Sequence, residues 1–125
     1  MSVTISKTVR SYPKLPYEGI ARDILGRHYK LSLVFVGGTR AQTLNKRYRK
    51  KTYVPNVLSF NLGSNAGEIY ITPEVAKREA KKTNLNTRTY IGFLFIHGIL
   101  HLKGHTHGAT MERAEKKYLA RYNLE

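Results

Sequence analysis

Residues 90–107 read YIGFLFIHGILHLKGHTH, an apolar run that passes directly into four of the chain's five histidines. From about Thr87 to Lys103 the pattern is apolar on nearly every side, which predicts a helix enclosed by the rest of the domain rather than one lying on its surface. His97 and His101 are four residues apart, so on a helix they share one face, one turn above each other. Gly104 then ends the helix and lets the chain turn back to present His107. The full spacing, H-x-x-x-H-x-x-G-x-x-H, supplies three neutral imidazoles and leaves a fourth coordination position open to water, the layout of a catalytic zinc site. Burying imidazoles on an apolar helix without partners is costly, and one divalent ion satisfies three at once. His105 shares the loop and is an alternative ligand, but the helix–Gly–turn spacing favours His107 and leaves His105 as a proton carrier or phosphate contact. His28 and Met111 read as surface or packing residues.

An enclosed helix needs elements to enclose it. Ser2–Val9 (SVTISKTV) alternates Val3 and Ile5 with polar neighbours, predicting a half-buried strand closed by Pro13 and Pro16. Ile20, Ile24 and Leu25 have helical spacing from Tyr17, with Gly26 as terminator. LSLVFVGG (31–38) is a β-branched and apolar run of strand length. Thr39 and Gln42 form a capping-box pattern that starts a helix through RAQTLNKRYR (40–49). NVLSFNL and GEIYIT, separated by GSNAG, predict two antiparallel strands. Thr72, Pro73 and Glu74 open a helix with an N-cap, a proline at its first position and an acid at its positive end. A last helix runs from about Thr110 to Asn123, with Ala114, Tyr118 and Tyr122 on one face. No linker or repeat divides the 125 residues, so the expectation is one α+β domain over residues 1–125, with a small mixed sheet of about four strands packed against helices.

Composition narrows the function. The absence of cysteine excludes disulfides and thiolate metal sites and suits a reducing cytoplasm. The opening MSVTISKTVR has no apolar core of a signal peptide, and no apolar stretch approaches the ~20 residues needed to cross a bilayer. A soluble, cytoplasmic protein is expected, without membrane contact or an organic cofactor. Lysine plus arginine number 22 against 8 acids, giving a net charge of +14; the field of so basic a small domain points to nucleic acid. The densest basic stretch, NKRYRKKTY, carries Lys46, Arg47, Arg49, Lys50 and Lys51.

The histidine spacing is shared with metzincin peptidases, but those place their glutamate base directly after the first histidine, where this chain has Gly98. HGILHLKGHTH instead resembles the H-G-x-L-H-L-x-G-(Y/H)-D-H signature of the YbeY family, bacterial zinc-dependent endoribonucleases of rRNA maturation. LNKRYRKKTYVPNVLSF and GEIYITPEVAKREA resemble two further family stretches in the same order, so the likeness runs from Leu44 to His107. Carried over by position, it implies that His97, His101 and His107 are the zinc ligands and that Arg49 is the family's cleft arginine. It also implies rRNA and the small ribosomal subunit as partners. Three departures stand out: Thr106 and Thr52 replace aspartates, and Pro55 replaces a threonine.

The leading expectation is a metal-dependent, single-strand-specific endoribonuclease. Zinc would activate water or polarise a phosphoryl oxygen, Arg49 would grip the scissile phosphate, and the lysine-rich surface would bind flanking backbone. Glu68, His105 and Ser59 are the candidates for a general base. The alternatives are a zinc metallopeptidase and a ribosome-associated RNA-binding factor with a structural zinc closed by His105.

Overall fold

A computed structural model describes residues 2–124. Nine elements follow one another: β1 (Ser2–Lys7), α1 (Tyr17–Leu25), β2 (Lys30–Phe35), α2 (Gly38–Arg49), β3 (Val57–Gly63), β4 (Ala66–Ile71), α3 (Pro73–Lys82), α4 (Thr87–Lys103) and α5 (Ala109–Arg121). The sheet order is β1-β2-β4-β3, with β1, β2 and β4 parallel and β3 antiparallel at one edge. The expected four-stranded mixed sheet of an α+β fold is therefore present.

Register assigns the two faces of the sheet. Val3 and Ile5 lie beside Leu31 and Leu33, and Leu33 and Phe35 beside Ile69 and Ile71. These side chains share one face, since alternate residues of a strand point the same way. That face is buried beneath α1 and α4, where Phe95, Ile96, Ile99 and Leu100 are closed off from solvent. Helices α1, α3 and α5 pack around α4, so it is enclosed on several sides, as its uniformly apolar sequence demands. Truncating Phe95 to Ala would leave a core cavity costing about 3–5 kcal/mol. The opposite sheet face is more polar, and α2 lies beside it.

Several boundaries differ from the expectations. β1 stops at Lys7, and Val9 packs against the core from beyond the strand. α2 begins at Gly38 rather than Thr39, without a side-chain cap from its own segment. Its Gly38 N–H instead donates to the Glu74 carboxylate from the first turn of α3. A Cβ at Gly38 would lie 2.7 Å from that carboxylate oxygen, so a larger residue there would push the flexible Glu74 side chain aside. Glu74 thus serves the positive ends of two helices. Thr72 does occupy the N-cap of α3, but its side chain makes no capping bond there. α5 ends at Arg121, and Arg121 and Tyr122 bind Asp23 of α1 at 2.6 and 2.9 Å. This arginine, ahead of the Tyr122 hydroxyl, holds Asp23 below the usual carboxylate range.

Candidate metal centre and active-site cleft

His97 and His101 leave α4 on one face, and their Nε2 atoms are 3.1 Å apart. Gly104, in the left-handed region at φ +109°, ends the helix, and the loop behind it brings His107 back over the same face. The ring centroid of His107 lies 5.2 Å from that of His97 and 4.9 Å from that of His101. Each of the three offers a ring nitrogen, and these lie within 4.8 Å of one another. A tetrahedral ion with bonds of about 2.0–2.1 Å needs ligand nitrogens about 3.3 Å apart, close to the His97–His101 separation. The three imidazole nitrogens are a donor set that fits a divalent metal ion.

Two contacts behind the rings aim them. Glu115 of α5, only 8% exposed, places Oε2 2.6 Å from His97 Nδ1. The backbone carbonyl of His105 lies 3.1 Å from His101 Nδ1. In each case the outer nitrogen has an acceptor that fixes it as the N–H, which turns the Nε2 lone pair toward the centre. Burial, and then the neighbouring His97, lowers the pKa of His101, favouring the neutral imidazole that a metal requires.

Gly98, where a metallopeptidase would carry its base, is a point of close packing. The Ser59 hydroxyl of β3 donates to the Gly98 carbonyl at 3.0 Å, and a Cβ on Gly98 would lie 2.9 Å from Ser59 Oγ and 3.3 Å from Val57 and Ile69. The edge strand sits directly on the helix, and a longer side chain has no room.

Facing the histidines across a cleft of about 450 Å³ is Arg49, with Tyr53, Asn56, Val57, Leu58 and Ser59 completing the wall. Arg49 is the last residue of α2, because Lys50 turns left-handed at φ 56°. Its Nη1 lies 3.3 Å from both Asn45 Oδ1 and the Tyr53 hydroxyl. Asn45 is fully buried and donates to the Tyr53 carbonyl at 3.0 Å, so one side chain organises both the helix end and the following turn. Elsewhere on this wall Asn56 donates to Glu79 at 2.9 Å, as does the Tyr90 hydroxyl. Burial first, then Glu79, pushes the pKa of Tyr90 up to about 12, so it stays a donor.

The sequence-derived residues thus separate. His97, His101, His107, Arg49 and Ser59 line one cleft. Ser59 donates its proton to the Gly98 carbonyl, which leaves its oxygen lone pairs on the cleft side of β3. His105 lies outside the three-histidine cluster and contributes through its carbonyl. Glu68 is not in the cleft: on β4 it points to the opposite sheet face with Tyr70, lining a different groove. As a base for chemistry at the histidines it is misplaced, because alternation along the strand turns it away from α4. Lys46, Arg47, Lys50 and Lys51 are exposed around the end of α2. Glu115, Asn45 and Asn56 were missed. The available signal for Glu115 was an acid four residues after Met111, on the face of α5 that is otherwise apolar.

Comparison with known proteins identifies the family of the chain. The profile of the family described as Endoribonuclease YbeY matches residues 4–123. An endoribonuclease YbeY of Alkaliphilus oremlandii is 36% identical over 125 residues, covering 88% of this chain and 80% of the relative. One from Thiobacillus denitrificans is 33% identical over 105 residues, covering 76% and 71%. One from Bdellovibrio bacteriovorus is 35% identical over 98 residues, covering 77% of this chain but 63% of the relative, so that match takes in under two thirds of that protein's length. The solution structure of a Thermotoga maritima protein superposes with a TM-score of 0.69 at 23% identity, covering 96% of this chain and 88% of the other, which shows a common fold. With the profile spanning nearly the whole chain and the three histidines and Arg49 meeting in one cleft, the chain belongs to the YbeY endoribonuclease family.

Proposed function

We propose that this protein is a metal-dependent endoribonuclease that cuts single-stranded RNA, acting in the cytoplasm on rRNA of the small ribosomal subunit. The observation that carries the reading is an open cleft with three converging imidazoles on one wall and a held guanidinium on the other. Zinc held by His97, His101 and His107 would supply a Lewis acid and a water of lowered pKa. The chain's own residues do the rest. Glu115 and the His105 carbonyl keep the imidazoles oriented, and Arg49 donates to the phosphate oxygens as they gain charge. The family and the +14 charge support RNA as the polyanion. rRNA and the small subunit rest on the family likeness, and the cytoplasm on the absence of cysteine.

The peptidase alternative is disfavoured because Ser59, Val57 and Ile69 fill the space its base would need at Gly98. A closed structural zinc is disfavoured because His105 stands outside the cluster. The test offers the purified protein a single-stranded oligoribonucleotide, the same sequence as a duplex, and casein. Cleavage of the single strand alone is expected. Cleavage of casein with intact RNA would overturn the reading.

A further inference from the structure

A second concavity, of about 470 Å³, lies on the other side of the edge strand β3, between α2 and the outer sheet face. It is lined by Arg40, Leu44 and Tyr48 of α2 and by Phe60, Glu68 and Tyr70 of the sheet, none of which serves the histidine centre. Its aromatic rings stand in a row. Tyr48 and Phe60 centroids are 5.5 Å apart at 63°, and Phe60 and Tyr70 are 5.9 Å apart at 72°. Tyr48 is 59% exposed, as is Leu62 at the rim, so the groove offers an open aromatic face to a ligand. The Arg47 guanidinium lies 5.6 Å from the Tyr48 ring centroid.

This mixture of exposed rings and cations selects an occupant with flat π faces and a negative backbone. Bases stack on aromatic rings and on guanidinium planes, and Arg40 and Arg47 at the edge complement phosphate. Glu68 refines the choice. Its carboxylate on the groove floor repels phosphate but accepts a hydrogen bond from a base amino or imino group. Burial, followed by the adjacent Glu68, raises the pKa of Tyr70, which therefore remains a neutral phenol.

The groove is also joined to the cleft. Ser59 and Phe60 are consecutive on β3 and point to opposite faces, Ser59 into the cleft and Phe60 into the groove. Tyr48 and Arg49 divide in the same way at the end of α2. An RNA strand crossing the free edge of β3 would touch both. We propose that this groove is a base-stacking subsite for single-stranded RNA, holding an unpaired base of the strand whose backbone occupies the histidine cleft. The inference rests on the RNA reading above.

Fluorescence anisotropy of a labelled 12-nucleotide single-stranded RNA, read within minutes on the protein as purified, provides the test. Tyr48→Ala is expected to weaken binding about tenfold, the scale of one lost base stack, whereas Tyr48→Phe, which keeps the ring, should stay near wild type. Lys81→Ala, a charge control on α3, should also stay near wild type, and binding of a duplex should not respond to Tyr48→Ala. The chain has no tryptophan, so Tyr48→Trp adds a single reporter whose emission should be quenched by the single strand. Unchanged affinity in Tyr48→Ala, or equal loss for single strand and duplex, would overturn the proposal. So would a dimer that Tyr48→Ala converts to monomer with RNA affinity intact, which would make the groove a contact between copies. If wild type binds no RNA at all, the RNA reading itself fails; wild-type binding with an insensitive Tyr48 refutes only the subsite.

Discussion

The C-terminal halves of α4 and α2 both carry the side chains expected to meet RNA, yet they are built differently. On α4, His97 is backed by buried Glu115 and His101 by the His105 carbonyl, with β3 pressed against Gly98 between them. On α2, Arg49 is held by Asn45 and Tyr53, while Lys46, Arg47, Lys50 and Lys51 stand exposed around it. Where each side chain has a partner that fixes its direction, function depends on every member. Where charges are merely near one another in solvent, each contributes a screened, replaceable share.

The largest effect should come from the fixed region. Replacing His97, His101 or His107 by Ala is expected to abolish metal retention and RNA cleavage, measured as metal per chain and product formed. His105→Ala should retain both, because its contribution is a backbone carbonyl that any residue supplies. Equal loss in His105→Ala would erase the distinction between ring and backbone. Next comes Arg49, the held member of α2: Arg49→Ala should lower turnover by ~10²-fold or more with metal content unchanged. Arg49→Lys should recover only part, because an ammonium lacks the planar two-point grip.

Glu115→Gln tests whether orientation matters as much as ligation. The amide lacks the charge that raises imidazole basicity, so metal affinity is expected to fall about 10–100-fold, measured by competition with a chelator. Acid should act in the same direction. Because the folded pKa of His101 is depressed, the unfolded chain binds its proton more readily. Stability of the metal-free protein should be full above the ordinary histidine value of about 6.5 and decline as pH falls below it. His97, His107 and Glu115 face the same centre, and the ion competes with protons on all three imidazoles, so metal retention should weaken over that range too. A pH-independent melting temperature between about 5 and 8 would contradict this. The smallest effect belongs to the exposed charges: Lys50→Ala should weaken RNA binding only modestly, reduce the salt slope of affinity by about one, and leave turnover at saturating RNA intact.

The sequence was most legible where physics is local. The limits of α4, Thr87 to Lys103, follow from an unbroken apolar pattern closed by Gly104, and the histidine spacing follows from helical geometry. Contacts between distant segments were not legible. Glu115 reaches His97 across 18 residues, and Glu74 reaches Gly38 across 36. The apparent capping box at Thr39 misled for that reason, since a carboxylate from another helix satisfies the α2 terminus. Sheet order lay beyond the sequence as well, because register between parallel strands depends on long crossovers rather than on a turn. Glu68 and Ser59 were plausible bases by residue type alone, and strand alternation decided which of them entered the cleft.

The most direct test of the central claim, that three histidines hold a metal used to cut RNA, is metal content measured together with cleavage of a single-stranded RNA before and after chelation. The account predicts about one zinc per chain, cleavage abolished when the chelator removes it, and cleavage restored on adding zinc back. Undiminished cleavage by metal-free protein would contradict it.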